Sequence, residues 1–135
     1  MSQANVEAFK RFAEGNNRRD VDAMLEELDA DVEWHSAVLG SLRGEATVHR
    51  GHDGVREMLR DLNDAFGEIR IEMSEIRDLG DRLIAIGRGC TRGKASDIET
   101  ETPLAIVTEF KNGKAISLRN YLDPKEALEA AGLSE

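Results

Sequence analysis

The sequence has little cysteine and little proline, and both shortages limit what the chain can be. Its single cysteine, Cys90, cannot form an internal disulfide and lies in no paired-cysteine motif. We therefore expect a packed thiol in a reducing compartment rather than a nucleophile. The two prolines, Pro103 and Pro124, mark no linker, and no repeat divides the 135 residues. We predict a single domain over residues 1–135, a length that can bury a core without disulfides.

Basic residues and long apolar runs are also scarce. Lys and Arg number 18 against 27 Asp and Glu, which gives a net charge of −9. An acidic surface repels phosphate backbones and anionic lipids, so we expect neither nucleic acid nor a membrane as partner. The N-terminal sequence has no apolar signal core, and no run approaches the ~18 apolar residues of a membrane helix. These features predict a cytoplasmic protein.

Histidine is also scarce, with three residues in the chain. His35, His49 and His52 are separated by 14 and 3 positions, spacings that match no standard zinc pattern. We therefore predict no metal, and nothing in the sequence indicates a cofactor. His52 lies where a helix begins and favours a structural role. His35 and His49 keep two interpretations open, local structure or a proton carrier at a pocket.

Apolar residues at helical spacing predict three helices in the first half of the chain. A short alternating strand runs from Asp31 to Ser36, with Trp34 and Ser36 on one side and His35 on the other. A glycine-punctuated loop over residues 37–51 follows and is expected to form a pocket rim. The helical stripes are Val6, Phe9, Phe12 and Ala13, then Val21, Met24, Leu25 and Leu28, then Val55, Met58, Leu59, Leu62 and Phe66.

From Glu68 onward the apolar period changes to two, which predicts strands. The phase slips between Met73 and Ile76, so a bulge is expected there. Further strands are predicted over 82–91, 98–110 and 115–122, with a hairpin at 111–114. Asp123 and Pro124 then begin a short helix that ends at Gly132. The element order predicts an α+β fold, in which a curved antiparallel sheet forms a half-barrel on the three helices.

Four segments also carry a resemblance to a known family. They are 31–34 in the first strand, 49–55 opening the third helix, 88–93 in a later strand, and the tail 121–133. On these segments, the chain resembles SnoaL-like members of the nuclear transport factor 2-like (NTF2-like) superfamily over nearly its whole length. The resemblance implies a cone-shaped pocket between sheet and helices, and commonly a homodimer through the outer face of the sheet. It leaves function open, because the superfamily includes isomerases, cyclases, epoxide hydrolases, dehydratases and members without known catalysis.

The proton-handling groups of a ketosteroid isomerase of this fold are absent here. Aligned on that pattern, the carboxylate base falls on Ser36, the tyrosine on Phe12 and the protonated acid on Ile106. The reaction needs a base near the substrate carbon and donors near the developing oxyanion, and Ser36 alone cannot supply both. A shift of one residue in register would bring His35 inward as a base.

Related cyclases and epoxide hydrolases place carboxylates on the later strands, and here the inward positions hold none. Asn120 lies where an acid would be useful but cannot take a proton at neutral pH. The glutamates of this region have the opposite parity and are expected on the outer face with Arg88, Arg92 and Arg119. The inward set is Leu104, Ile106, Thr108, Phe110, Leu118, Asn120 and Leu122, and the outward glutamates are Glu99, Glu101 and Glu109.

Two functional hypotheses follow. In the first, the pocket takes a small apolar ring-containing molecule, and any chemistry is cofactor-free acid–base work of an isomerase, lyase or polyketide cyclase type. His35 or His49 would then carry the proton. In the second, the chain is a non-catalytic, dimeric ligand-binding or accessory domain. The predicted pocket residues are Phe12, Trp34, Ser36, Met58, Ile106, Thr108, Leu118, Asn120 and Leu122.

Overall fold

The computed structural model describes residues 2–36, 40, 44, 47–93 and 98–133. No helix in these ranges is long and apolar enough to cross a membrane. In chain order, the elements are α1 (Ser2–Asn17), α2 (Val21–Glu26), β1 (Leu28–Ser36), β2 (Thr47–Arg50), α3 (Gly51–Ala65), β3 (Glu68–Asp78), β4 (Arg82–Arg92), β5 (Glu99–Lys111), β6 (Lys114–Tyr121) and α4 (Pro124–Ala130).

The strands form one curved sheet in the order β2-β1-β6-β5-β4-β3. The predicted antiparallel pairing of the four later strands is confirmed, as is the bulge between Met73 and Glu75. The sheet is nevertheless mixed, because β1 pairs with β6 in parallel. A period of two does not encode strand direction, and no hairpin ties β1 to β6, so the sequence pattern could not reveal this parallel pair.

Two boundaries in the first half differ from the sequence prediction. Residues 47–50, predicted as part of a loop, form β2 and pair antiparallel with β1. Residues 37–39, 41–43 and 45–46 of that predicted loop lie outside the described ranges. Leu28, predicted on the second helix, instead begins β1 and is buried there. Leu28 fits the apolar spacing of a helix, but its side chain reaches the same core from a strand.

The main core lies between the three N-terminal helices and the face of the sheet that they cover, here called the inner face. The predicted helical stripes supply its helix side, including the fully buried Val55 and Met58. Predicted caps are confirmed at Asp20, which accepts from the Ala23 N–H at 3.1 Å, and at Asp123, which accepts from Lys125. The predicted α+β architecture is therefore confirmed.

A second, smaller core lies on the opposite, outer face of the sheet. There α4 packs its buried Ala127 and Ala131 on Ile84, Ala105 and Val107. Arg82 strengthens this contact, because its guanidinium donates to the Ala131 carbonyl at 2.8 Å. Part of the outer face predicted for dimer contacts is thus covered by the chain's own last helix.

Candidate functional site

A cavity of about 250 Å³ lies between α3 and the inner face of the sheet. Its apolar wall comes from Leu59, Leu62 and Phe66 on α3, facing Ile69 and Ile71 on β3. Apolar walls of this kind are typical of small-molecule sites, where a few polar groups fix the orientation of the ligand.

Four of the nine predicted pocket residues line this cavity: Trp34, Ser36, Asn120 and Leu122. The other five have inner-face or helix positions but are buried in the core and do not line it. They lie where the helices pack closely on the sheet and leave little space between the two layers, about 10 Å³ beside Phe12, Thr108 and Leu118. These five are Phe12, Met58, Ile106, Thr108 and Leu118.

Trp34 and Asn120 form a fixed polar pair in the cavity wall. The indole N–H of Trp34 donates to Oδ1 of Asn120 at 2.8 Å. Because an indole nitrogen can only donate, the atom facing it must be the amide oxygen, and the orientation of the Asn120 amide is determined. Phe12 holds the indole from behind, with ring centroids 5.4 Å apart. Asn120 therefore has its NH₂ group to offer to a ligand.

The two histidines predicted as proton carriers do not line the cavity. His35 lies on the outer side of β1, with Nε2 3.4 Å from Oε1 of Glu33. His49 is paired directly opposite Trp34, so its side chain shares the inner face of the β1–β2 pair. There it packs beside Gly54 in the first turn of α3. The third histidine has the structural role expected for it, since His52 Nε2 lies 3.0 Å from the Leu28 carbonyl oxygen.

Sequence reasoning missed a row of threonines at one end of the cavity. Thr100 and Thr102 on β5 line it together with Thr91 on β4. Thr91 is paired with Thr100, and Gly89 with Thr102. The signal was present in the sequence, because Thr100 and Thr102 share the phase of Leu104, which was predicted to point inward.

Gly89 provides part of the space in the cavity. It lines the cavity in a row that β3 and β5 complete with Ile71 and Thr102. A Cβ added at Gly89 would meet only Cδ2 of Leu104, at 3.6 Å. The missing side chain therefore leaves room for a ligand rather than for neighbouring backbone.

Carboxylates are confined to other surfaces. Among the described residues, the cavity wall contains no Asp, Glu or His, and its single charged residue, Arg70, belongs to the outer row of β3 with Cys90 opposite. Its guanidinium pairs with Glu72 on that face, so Arg70 contributes backbone to the wall. Within the same part of the chain, no three His, Cys, Asp or Glu residues are grouped to hold a metal ion.

The outer face carries an ion-pair network around the buried Cys90. Arg88 lies between Glu72, at 2.8 Å, and Glu101, at 3.0 Å. The hydrogen bond from Arg88 lowers the pKa of Glu72, while burial followed by the two carboxylates raises the pKa of the Cys90 thiol. A thiol with a raised pKa is a poor nucleophile, which agrees with the predicted packed role of Cys90.

The curved sheet and its inner cavity define an NTF2-like α+β domain. The model of the SnoaL-like domain family matches residues 9–118, so the chain belongs to that family. This confirms the resemblance that the sequence indicated. No curated protein matches the chain.

Three solved structures illustrate the fold similarity. An NTF2-like protein from Burkholderia pseudomallei is 24% identical with a TM-score of 0.80, covering 93% of this chain and 95% of that one. TerC, co-crystallised with polyporic acid, is 23% identical with a TM-score of 0.80 over 93% and 96% of the two chains. An NTF2-like protein from Burkholderia xenovorans is 25% identical with a TM-score of 0.69 over 97% of each.

Proposed function

We propose that the chain binds a small, mostly apolar, ring-containing molecule in the inner cavity, with the Asn120 amide donating to a carbonyl or hydroxyl oxygen of that molecule. Membership in the SnoaL-like family supports a small-molecule ligand. The similar protein TerC was co-crystallised with polyporic acid.

The size and lining of the cavity support a compact ring system. A dry cavity of about 150 Å³ holds benzene, and the cavity here measures about 250 Å³. Leucine, isoleucine and phenylalanine supply the wall of α3 and β3, with threonine hydroxyls at one end. Such a surface favours a ring by burial of apolar area and favours few polar substituents.

The bond between Trp34 and Asn120 is the observation that carries the proposal. An asparagine without such a partner can turn its amide either way and accept or donate. Here the indole fixes Oδ1 toward Trp34, so the NH₂ group on the other side of the amide favours ligands with an acceptor. A pocket built to donate to an oxygen discriminates against the analogue that lacks that oxygen.

The test compares two ligands of matched shape on two proteins. Acetylnaphthalene carries a carbonyl, and ethylnaphthalene lacks one. We expect the wild-type protein to bind the ketone about fivefold more tightly in titration calorimetry, the value of one neutral hydrogen bond. The Asn120→Leu variant should bind both ligands equally.

The calorimetric comparison has two contradicting outcomes. Equal affinity of the wild-type protein for the ketone and the hydrocarbon would contradict the role of Asn120. If neither probe binds, the pocket proposal is contradicted. Because Asn120→Leu also leaves the Trp34 N–H without its partner, its fold should be checked by circular dichroism and thermal melting.

A second candidate function, acid–base catalysis of an isomerase, lyase or cyclase type, has one observation in its favour. His49 lies directly opposite Trp34 on the inner side of the β1–β2 pair. A proton carrier there would be one residue away from the cavity wall. If an enone or keto substrate is turned over, His49→Ala should abolish turnover and His35→Ala should not, because His35 lies on the outer side. Equal rates for the His49→Ala variant and the wild type would exclude this candidate.

A homodimer through the outer face is proposed for the part of that face not covered by α4. Tyr121 packs against the second, smaller core under α4, so its substitution would test packing and association together. Arg119, exposed on β6, is a better test, and Arg119→Glu should weaken a dimer measured by light scattering. A monomer at micromolar concentration would contradict the dimer. A single domain over residues 1–135 and a cytoplasmic location stay predictions of the sequence.

A further inference from the structure

We propose that the ligand carries an anionic group, and that this group binds in a second chamber next to the main cavity, where Arg19 is the cation. The inference rests on the proposed function, since it extends the same site. The ligand would then have an apolar ring with an acceptor pointing toward Asn120, and a carboxylate pointing toward the turn between α1 and α2.

The second chamber adjoins the main cavity through a shared wall. It measures about 50 Å³ and lies where the end of α1, α2 and α3 meet. Asn16, Leu59, Leu62 and Ile69 line both spaces. Leu59 and Ile69 are only partly buried. Because the four residues line both spaces, the second chamber lies next to a ring bound in the main cavity.

The charges around the second chamber select for an anion. Among the described residues that line it, Arg19 is the one charged residue, and Asn63 joins Asn16 as a second amide. Neither chamber has a carboxylate among the described residues that line it. Such a lining differs from the chain as a whole, in which 27 acidic residues outnumber 18 basic ones. A cationic group would enter without a counter-ion, whereas a carboxylate would find the Arg19 guanidinium and the Asn63 amide.

Arg19 has no competing partner within the part of the chain that the structure describes. The neighbouring Arg18 pairs with Asp20 at 3.8 Å, whereas no side chain in the described ranges forms an ion pair or hydrogen bond with the Arg19 guanidinium. The guanidinium is therefore free to bind a ligand carboxylate without breaking a contact within the described chain. Its planar group can donate two parallel hydrogen bonds to the two carboxylate oxygens.

The backbone conformation of Arg19 is unusual for an arginine. Its φ of 59° lies in the left-handed region. The Arg19 N–H bonds to the Asn16 carbonyl and Asp20 N–H to that of Gly15, the geometry that ends a helix. Glycine or asparagine is the usual residue at such a position. Arginine is thus an unfavourable residue for the fold at this position. Replacing Arg19 by glycine should therefore not lower the stability of the protein, and any loss of binding can be assigned to the lost side chain.

The experiment uses three probes of one shape with the wild-type protein and the Arg19→Gly variant. Acetylnaphthoate carries its acetyl and carboxylate groups at opposite ends of the ring system. Acetylnaphthamide replaces the carboxylate with a neutral amide, and acetylnaphthalene lacks the group. Because Arg19 is exposed and solvent weakens its ion pairs, we expect the wild-type protein to bind the carboxylate about twofold to fivefold more tightly than the amide.

The variants separate the second chamber from the main cavity. Arg19→Gly should lose the preference for the carboxylate, keep its affinity for acetylnaphthalene, and melt at the same or a higher temperature. Arg19→Lys should recover part of the preference. Arg18→Ala removes one positive charge from the same turn without touching either cavity, so it controls for long-range charge and should bind all three probes as the wild type does.

The outcomes distinguish the two proposals. Equal wild-type affinity for carboxylate and amide, or a preference that persists in Arg19→Gly, would overturn the anionic subsite while binding of acetylnaphthalene still supports the main cavity. A preference lost equally in Arg18→Ala would also overturn it, because the effect would then be long-range. Absence of binding by all three probes would reject both proposals.

Discussion

Gly87 and Gly89 lie two positions apart on β4, and an added methyl group would meet different surroundings at each. At Gly87 a Cβ would lie 2.1 Å from the Glu72 carbonyl oxygen and 2.6 Å from Cα of Met73. These are backbone atoms of the bulged part of β3, which cannot rotate away. Gly87 is thus required by the approach of two strands, whereas Gly89 leaves space in the cavity.

This difference predicts opposite effects of the same substitution. Gly87→Ala should destabilise the fold by about 1–3 kcal/mol, because the methyl group overpacks against backbone. Gly89→Ala should leave the free energy of unfolding nearly unchanged and weaken acetylnaphthalene binding about fivefold or more, because the methyl group enters the cavity. Urea denaturation and titration calorimetry measure the two effects. A stable Gly87→Ala, or a Gly89→Ala with undiminished binding, would contradict these assignments.

The sequence predicted which face of the sheet each strand residue points to. It did not predict whether that residue lies at the cavity or under a closely packed helix. Alternation correctly placed Trp34, Ser36 and Asn120 on the inner face. The same alternation gave Ile106 an equal claim, yet its side chain is fully buried, because the helices pack on the sheet at that level. A period of two gives the face of a residue but not the gap between the layers, which depends on helix placement.

Helix α1 is attached to the edge strand β3 through its last residue. The Asn17 amide donates to the Ile71 carbonyl at 3.0 Å and accepts from the Ile71 N–H at 2.8 Å. The side chain thus pairs with the strand as another strand would and satisfies both edge groups of Ile71. Since Ile71 lines the cavity, this contact positions part of the wall.

We predict that Asn17→Ala loosens this wall. Two hydrogen bonds of about 1 kcal/mol each are lost, partly replaced by water, so the free energy of unfolding should fall by about 1–2 kcal/mol. The Ile71 amide should exchange with deuterium faster in the variant than in the wild-type protein, whereas the exchange of the Ile84 amide on the interior strand β4 should not change. Asn5→Ala serves as the matched control, because this asparagine of the same helix donates to the Gly80 carbonyl, at 3.2 Å, away from Ile71. An Ile71 amide with unchanged exchange in Asn17→Ala would contradict this role.

Element prediction succeeded where local chemistry sets the boundary. The cap at Asp123 and the proline after it begin α4 as predicted. It failed for β2, a four-residue strand at the sheet edge whose exposed and half-buried side chains give no apolar run. The contact of α4 with the outer face was also not foreseen, because the docking surface of a short helix is set by tertiary structure.

The outer ion-pair network makes stability depend on pH in acid. Arg88 lowers the pKa of Glu72 in the folded protein from its ordinary value of 4.5. A lowered pKa means that the carboxylate stabilises the fold fully above the unfolded value, and that this contribution is lost as the pH falls through the folded value. The side chains of Glu72 and Arg88 are 32% and 51% exposed, so solvent and salt weaken the effect.

Accordingly, we predict that Glu72→Gln flattens the acid limb of the stability curve. Below about pH 4.5 the wild-type protein should lose more unfolding free energy per pH unit than the variant, and the difference should shrink in high salt. Arg88→Gln should flatten the same window, and the double variant should add little, because both groups belong to one network with Arg70 and Glu101. Urea denaturation across pH provides the curves. Parallel curves for wild type and Glu72→Gln would exclude the linkage.

The parallel pairing of β1 with β6 has a consequence for the order of synthesis. The first strand leaves the ribosome early, yet its neighbour toward the sheet centre begins only at Lys114. Until β6 is translated, β1 and β2 cannot join the meander of β3 to β5, and the apolar side of each half lies open to water. The growing chain therefore passes through a long stage in which most residues are present and the sheet is still in two pieces. This is the stage at which a chaperone would have the most exposed surface to bind.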